Sequence, residues 1–337
     1  MIRLSSLGDV ILASAALGLR KSDEQIDWLT AEEYAPLLEG HPGLSRVILF
    51  DRKNGLPGWI RQCRELAMAG YDEVVDLHSS LRTWVFRVLL YVWTILGTIQ
   101  KQKIHKLKKK KWRFWGYFVF KRFWPQVLKP EPFYRQACKT WRSNQEPCFP
   151  NLEHLVDREY MSPVLDQKYI CVMPSARWKS KEWPVQKYLE TIQQLKFLPV
   201  VMGAEKDLPS RELCELFQKN GIQYIDQVGK LSLREVAAWL AGAEFYLGND
   251  TGLAHLAEAV GTPAQMIFGP TIPDMGYGPW RQESQGISAN LGCSPCGKDG
   301  RFCYWPNQKY ACMTRLEAED VVDQIQTKTR SWIVGHS

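Results

Sequence analysis

The residues best suited to chemistry stand in the segment GNDTGLAHLAE. Asn249, Asp250, Thr251 and Gly252 come just before an apolar i, i+3, i+4, i+7 pattern, and His255 lies one turn into it. A helix N-terminus presents unpaired N–H groups and the positive end of the helix dipole, and a glycine there lets a phosphate approach the backbone. An ordinary N-cap by Asp250 with a core histidine is the alternative. The combination of residues favours an anion-binding turn.

Two further segments of the second half lie between a predicted strand and a predicted helix. PSARWKSKEWP places Lys181 near a helix start, where a cation is unfavourable, so a role in neutralising a diphosphate competes with a solvated lysine. In VVMGAEKD, Glu205 follows a strand, where acidic residues of nucleotide-binding units often bind ribose hydroxyls. Both segments are compatible with a nucleotide site.

The N-terminal half carries two comparable segments. In RLSSLGDV, Gly8 permits a tight turn, and Asp9 either caps the next helix or acts as a general base. In DLHSSLRT, His78 and Arg82 follow a strand end and either bind an anionic acceptor or lie on the surface. The residues alone leave both choices open.

Nine cysteines, an odd number without a framework in a chain of 337 residues, indicate a reducing compartment. The first pair of the series Cys293-x2-Cys296-x6-Cys303-x8-Cys312 has zinc-knuckle spacing, whereas the second pair lacks it. Packed, reduced thiols are therefore predicted rather than a metal site.

The positive charge is concentrated in one stretch. Residues 100–124 hold ten Lys and Arg and no Asp or Glu, while the rest of the chain has 33 basic and 36 acidic residues. Eight aromatic residues between Trp112 and Trp124 interleave with the basic ones, which favours an anionic lipid surface. A nucleic-acid surface and a solvated lysine loop beside a buried aromatic helix are the alternatives.

Two apolar runs resemble membrane or export signals. The run Val88–Ile99 has twelve residues, short of the ~20 that a spanning helix needs. The run Val10–Leu19 follows Gly8 and Asp9 where a signal peptide carries positive charge, so we expect a short helix there.

The chain length favours two domains, and the alternation of short apolar runs with helical patterns predicts parallel sheets. In two such domains the strand carboxyl ends face a common cleft, where ligands bind. The predicted strands are Ile2–Leu4, Gln25–Thr30, Val47–Phe50, Glu73–Leu77, Tyr169–Met173, Pro199–Met202, Ala243–Leu247 and Ala264–Phe268. The predicted helices are Asp9–Arg20, Trp59–Ala69, Val185–Leu195, Leu208–Lys219, Leu233–Ala241 and Leu316–Thr327, the last with Thr314 as a candidate cap. Residues 84–124 are predicted to be helical throughout, and residues 125–165 to form an irregular linker.

Together, RLSSLGDV, PSARWKSKEWP, GAE and NDTGLAHLAEAVGTPAQMIFGPT resemble glycosyltransferase family 9, the lipopolysaccharide heptosyltransferases, over nearly the whole chain. CSPC and the residues beyond it resemble the tail of second-heptose transferases. The resemblance implies an α/β GT-B fold, with two Rossmann-like domains whose parallel sheets face a central cleft. It assigns residues 1–160, joined by helix 315–337, to an acceptor-binding domain and residues 161–314 to an ADP-sugar-binding domain.

The activity implied by the resemblance is an inverting, metal-independent transfer of heptose from ADP-heptose to the lipopolysaccharide inner core. It would take place on the cytoplasmic face of the inner membrane of a Gram-negative bacterium, with residues 101–124 on the anionic membrane and no nucleic acid bound. Another GT-B transferase with a different nucleotide sugar or acceptor, and a non-catalytic membrane- or nucleic-acid-binding relative, are the alternatives.

Site residues carry over from the same resemblance. Asp9 matches the catalytic base. The residues matched to donor binding are Ser175, Lys181, Glu205, Asp250, Thr251, Gly252 and His255. The residues matched to acceptor binding are Ser6, Gly8, His78 and Arg82. No cofactor or metal is implied.

Overall fold

The computed structural model describes residues 1–108, 111–123, 125, 128–156, 167–297, 300–305 and 307–335. They form two compact units. The first comprises Met1–Lys109 and Phe133–Pro150, and the second comprises Lys110–Pro132 and Asn151–Ser337. Lys109, Lys110 and Trp124 of the predicted membrane segment lie outside the described residues.

The first unit contains two parallel strand pairs. Strand β1 (Asp27–Ala31) pairs with β2 (Arg46–Phe50), and β3 (Glu73–Asp76) pairs with β4 (Lys103–Lys106). Ile2 lies between β1 and β3 and bridges both. The predicted strand at Ile2–Leu4 therefore has strand-like hydrogen bonds on both sides but is reduced to this single bridging residue.

The described residues of the first half of the chain form five α-helices, and all but the fourth belong to the first unit. They are α1 (Leu7–Ser14), α2 (Gly55–Met68), α3 (Leu81–Ile95), α4 (Lys111–Phe120) and α5 (Phe133–Trp141). In the core of the first unit, Trp59 packs edge-on against Phe50 and Phe86, with ring centroids 5.3 and 6.2 Å away. This packing fixes α2 and α3 against the sheet.

Two predictions for this half are wrong. The continuous helix over 84–124 is interrupted by β4, because this short charged segment pairs with β3 and tertiary pairing overrides its local pattern. The irregular linker contains α5, which buries Phe133, Ala137 and Trp141 on one face. The sequence of this segment has apolar residues at helical spacing, separated by polar residues.

The second unit is built on a six-stranded parallel sheet. Its strands are β5 (Tyr169–Met173), β6 (Leu198–Val201), β7 (Ile225–Asp226), β8 (Tyr246–Asn249), β9 (Ala264–Ile267) and β10 (Gln285–Ile287). The order in the sheet is β10-β9-β8-β5-β6-β7. The strand order therefore reverses between β5 and β8, the point at which doubly wound sheets bind ligands. The predicted α/β class with parallel sheets is confirmed.

The helices of this unit complete its core. They are α6 (Val185–Leu195), α7 (Leu208–Lys219), α8 (Leu233–Ala241), α9 (Gly252–Ala259), α10 (Ala311–Thr314) and α11 (Ala318–Gly335). Val321 and Ile325 of α11 are buried in the same cluster as Ile192 of α6, so α11 packs in the second unit and not, as expected, in the first. Thr314 lies inside α10 and does not cap the last helix.

A cavity of about 740 Å³ opens in the first unit among Met1, Asp27, Glu73 and Trp141. Asp27 and Glu73 begin their strands, so the cavity lies at the amino ends of β1 and β3. Ligands of parallel sheets bind at the opposite edge, and the cavity is therefore separate from the candidate site.

Gly229 allows its backbone to lie close to the backbone of Glu205, beside β6. Its φ is +74°, its N–H donates to the Gly203 carbonyl at 2.9 Å, and a Cβ would lie 2.6 Å from the Cα of Glu205. Gly221 has a similar φ of +65° but open space around it.

We therefore expect Gly229→Ala to destabilise the protein more than Gly221→Ala. Both changes introduce left-handed strain of about 1–2 kcal/mol, and only the first adds a clash with backbone atoms. Urea unfolding of the two variants compares them directly. Equal losses of unfolding free energy would show that the contact with Glu205 carries no constraint.

Candidate active site

Asn249 ends β8 and is fully buried. Its Nδ2 donates to the Pro174 carbonyl at 2.5 Å, and its Oδ1 accepts from the Trp183 N–H and the Tyr188 hydroxyl, both at 3.2 Å. The amide thus uses both ends to attach the loop after β5 to the end of β8. This explains why an asparagine opens the motif.

Lys181 and Asp250 form an ion pair where the strand order reverses. The Lys181 ammonium donates to Oδ2 of Asp250, and the Thr271 hydroxyl donates to the same oxygen at 2.8 Å. Burial would raise the pKa of Asp250, but Lys181, aided by His255 and Thr271, outweighs burial and lowers it. The carboxylate therefore stays ionised and holds the ammonium group at the edge of the sheet.

The alternative in which Asp250 caps α9 does not hold, because its carboxylate is engaged by Lys181. Thr251 is the N-cap residue, in extended conformation, and α9 begins at Gly252. The Thr251 hydroxyl lies 3.4 Å from the Tyr246 hydroxyl and makes no capping hydrogen bond. The Thr251 side chain thus leaves the first-turn N–H groups of α9 uncapped.

His255 is buried, and its ring stacks on Trp280 with centroids 5.7 Å apart. One turn later, Glu258 accepts hydrogen bonds from the backbone N–H groups of Trp280 and Arg281, both at 2.9 Å. Burial raises the pKa of Glu258 to about 7. Sequence reasoning missed Glu258, although a lone acid in the apolar pattern HLAEAV was a signal.

The loops after β5 and β6 are also joined. The Ser175 hydroxyl donates to Asp207, which caps α7 by accepting from the Ser210 N–H. The Glu205 side chain is exposed, while its carbonyl accepts two hydrogen bonds from Arg211. The predicted donor residues thus share one edge of the sheet, on the loops of the neighbouring strands β6, β5 and β8.

In the first unit, Asp9 belongs to the capping box of α1. Its Oδ2 accepts from the Ser6 N–H at 3.2 Å and the Ser6 hydroxyl at 2.9 Å, and it pairs with Arg3 at 2.6 Å. Burial favours a raised pKa, yet Arg3 and Ser6 outweigh it and lower the pKa of Asp9. Gly8 is the second residue of α1 and does not form the predicted tight turn.

Arg3 links Asp9 to the second predicted acceptor segment. Its guanidinium also donates to the Leu77 carbonyl at 2.7 Å, next to His78. Arg3 is the first residue of the RLSSLGDV segment, but it was not identified as a site residue from the sequence. The structure thus places Ser6, Gly8 and Asp9 beside the turn that carries His78.

Asp76 shapes that turn. Its buried carboxylate accepts from the N–H groups of His78 and Ser79, at 3.0 and 2.8 Å, and pairs with Arg87. Arg82 lies at the start of α3, with its guanidinium 5.5 Å from the Phe50 ring centroid.

Among the residues that the structure describes, no three His, Cys, Asp or Glu side chains are placed to hold a metal ion. Burial raises the pKa of Cys296 to about 11 and that of Cys312 to about 12. None of the helices in the described ranges combines the length and apolarity needed to cross a bilayer.

A doubly wound sheet with a cationic turn at its order reversal is typical of nucleotide-dependent α/β enzymes. The chain belongs to glycosyltransferase family 9 (heptosyltransferase), whose sequence pattern matches residues 123–303.

Known proteins resemble the chain over nearly its full length. Lipopolysaccharide heptosyltransferase 1 of Pseudomonas aeruginosa is 26% identical, over 97% of this chain and 96% of that protein. The structure of a family 9 glycosyl transferase from Veillonella parvula superimposes with a TM-score of 0.74 at 18% identity, covering 97% of this chain and 95% of the other. E. coli ADP-heptose heptosyltransferase II gives 0.72 at 16% identity, covering 97% of both chains. These structures share the fold.

Glu258 predicts a pH dependence of stability. Because its folded-state pKa of about 7 exceeds the ordinary value of 4.5, its protonated form contributes stability that is complete below pH 4.5 and lost as the pH rises through 7. The full span corresponds to about 3 kcal/mol. Between pH 4.5 and 7.5, we expect the unfolding free energy of the wild type to fall by about 3 kcal/mol more than that of Glu258→Gln. Parallel stability curves in urea titrations would contradict this.

Proposed function

We propose that the protein transfers a heptose from ADP-heptose to a hydroxyl of the lipopolysaccharide inner core. The observation that carries the proposal is the Lys181–Asp250 ion pair at the reversal of strand order, beside the uncapped first turn of α9. Family membership and the donor named for the E. coli relative support it.

In this proposal, the diphosphate of the donor lies at the N-terminus of α9. The Lys181 ammonium, the Thr251 hydroxyl and the first-turn N–H groups supply positive charge and donors, and Gly252 permits close approach. Asp250 acts through Lys181, because a carboxylate is repelled by phosphate. His255 shapes the site from below the first turn, where Trp280 supports its ring.

The remaining donor contacts come from the loops after β5 and β6. Glu205 accepts hydrogen bonds from the ribose hydroxyls with its exposed carboxylate. Ser175 holds its loop in place through Asp207.

The proposed reaction gives these residues the following roles. The acceptor oxygen bonds to the anomeric carbon from the face opposite the diphosphate, and the bond from that carbon to the ADP oxygen breaks, so the configuration inverts. Asp9 takes the proton of the hydroxyl as the bond forms. ADP leaves with the bonding electron pair, and Lys181 and the helix N-terminus stabilise its charge in place of a divalent cation.

The acceptor binds in the first unit. In this proposal Ser6, Gly8 and His78 bind the acceptor near Asp9, and Arg82 interacts with an anionic group of the inner core. The tail resembles second-heptose transferases, whereas the full-length P. aeruginosa relative is named heptosyltransferase 1. The two acceptors that differ by one heptose should therefore be assayed with one donor.

The lipid-linked acceptor places the protein at the cytoplasmic face of the inner membrane. Within residues 101–124, Trp112, Trp115 and Phe123 are exposed, as are Lys101, Lys106 and Lys108, which suits contact with anionic headgroups.

Asp9→Asn tests the base. The carboxamide oxygen still accepts from Ser6, so the α1 cap persists, while proton acceptance is lost. We expect turnover to fall by about 10²–10⁴-fold with ADP affinity unchanged. Turnover is measured by ADP release with acceptor, and unfolding monitors the cap. Near-normal turnover would make Asp9 a cap only.

Lys181→Met tests the donor site. We expect at least about a tenfold loss of ADP affinity by calorimetry, because a charge-assisted contact is removed. The exposed Lys179→Met, on the same turn, should bind as wild type. The double variant Lys181→Met/Asp250→Asn avoids an unpaired carboxylate, so a binding loss there is independent of folding.

A chelator added to wild type should leave ADP binding and turnover unchanged. Loss of turnover with chelator would contradict metal independence. For the donor site, an unaltered ADP affinity in Lys181→Met would contradict the assignment of Lys181.

A further inference from the structure

Helix α3 exposes an apolar stripe along its length. Leu81, Trp84, Val88, Tyr91 and Ile95 recur every three or four residues, which places them on one face. Their exposed fractions are 76, 52, 38, 68 and 66%. An exposed apolar stripe of five side chains on one helix face is typical of an interaction site.

The stripe is not an incompletely buried core face. The opposite side of α3 is already packed, with Phe86 and Leu90 buried in the core of the first unit. The two charged residues of the helix are also engaged with that unit, since Arg87 pairs with Asp76 and Arg82 lies over Phe50. The stripe therefore contains no charged side chain of the helix.

The charge of the residues near α3 indicates which kind of partner binds the apolar stripe. Within the first unit, residues 97–108, which follow α3, contain the exposed Lys101, Lys103, Lys106 and Lys108 and no Asp or Glu. An anionic surface complements this segment, whereas a second copy would bring the same positive charge against it. Trp84 and Tyr91 are the residue types enriched where hydrocarbon meets headgroups.

Helix length sets the mode of contact. Fifteen residues of α-helix extend about 22 Å, less than the ~30 Å hydrocarbon core of a bilayer. We propose that α3 lies in the plane of an anionic bilayer, with the stripe in the headgroup–acyl boundary. This deepens the proposed function, because it provides the first unit with a membrane contact separate from that of residues 111–123.

Flotation with vesicles tests the inference. Vesicles of phosphatidylethanolamine and phosphatidylglycerol are compared with vesicles of phosphatidylcholine alone. The variant Trp84→Ser/Tyr91→Ser/Ile95→Ser removes the stripe, and Leu56→Ser/Met68→Ser removes two exposed apolar side chains of α2 in the same unit as the matched control. Tyr91→Ser alone is the milder second variant.

We expect the triple variant to lose binding to the anionic vesicles by at least about tenfold, and Tyr91→Ser to lose part of it. The α2 control should bind as wild type, and wild-type binding should weaken with salt and on phosphatidylcholine. ADP affinity should be unchanged in every variant, with circular dichroism confirming folding.

Binding of the triple variant equal to wild type would overturn the inference and leave residues 111–123 as the membrane contact. A wild-type dimer in light scattering that the triple variant dissociates would also overturn it, by assigning the stripe to a second copy. Failure of ADP binding in wild type would contradict the proposed function alone, because vesicle binding does not depend on it.

Discussion

The ion pair between Lys181 and Asp250 is the interaction on which the rest of the candidate site depends. A doubly wound sheet separates the loops of β5 and β8 at the reversal of strand order, and that separation creates room for a ligand but removes apolar packing. Polar contacts must then hold the loops, and buried polar groups require partners. The Asn249 amide and the Asp250 carboxylate meet this need in adjacent positions. The same constraint explains a lysine near a helix start, because the neighbouring carboxylate compensates for the unfavourable dipole.

Asp9 shows how one side chain serves structure and proposed chemistry together. Its capping box with Ser6 orients the carboxylate, and Arg3 keeps it ionised and connects it to the Leu77 carbonyl. A carboxylate held below its ordinary pKa is a weak base. Such a base accepts the proton of a sugar hydroxyl only as the new bond makes that hydroxyl acidic, so proton transfer accompanies bond formation. The capping hydrogen bonds therefore orient Asp9 for its proposed role as a base, so its structural role and its proposed catalytic role are compatible.

Three helices were predicted with correct bounds because their own periodicity determines them. Val185–Leu195, Leu208–Lys219 and Leu233–Ala241 are amphipathic helices next to clear turns, and the structure has these bounds. The segment Lys103–Lys106 was missed because its strand character comes from pairing with a strand 30 residues earlier. Lys181 was not recognised as the partner of Asp250, because the two residues are 69 positions apart in sequence. Local patterns locate elements and loops, whereas the partner of a buried charge depends on which strands become neighbours.

The charge distribution separates the two proposed anionic partners by the physical means that would recognise them. Outside residues 100–124 acidic residues slightly outnumber basic ones, so the rest of the chain supplies no broad positive field that would steer an ADP-sugar. Donor binding must instead rest on short-range contacts with one partly buried ammonium and the N–H groups of one helix, where solvent ions screen little. The basic stretch and the α3 stripe have the opposite character, with many exposed charges and a large apolar area that act on an extended surface without fixed geometry. A small, directional site suits a ligand that must be aligned for bond formation, and a diffuse one suits the proposed contact with a membrane surface, which requires no fixed geometry.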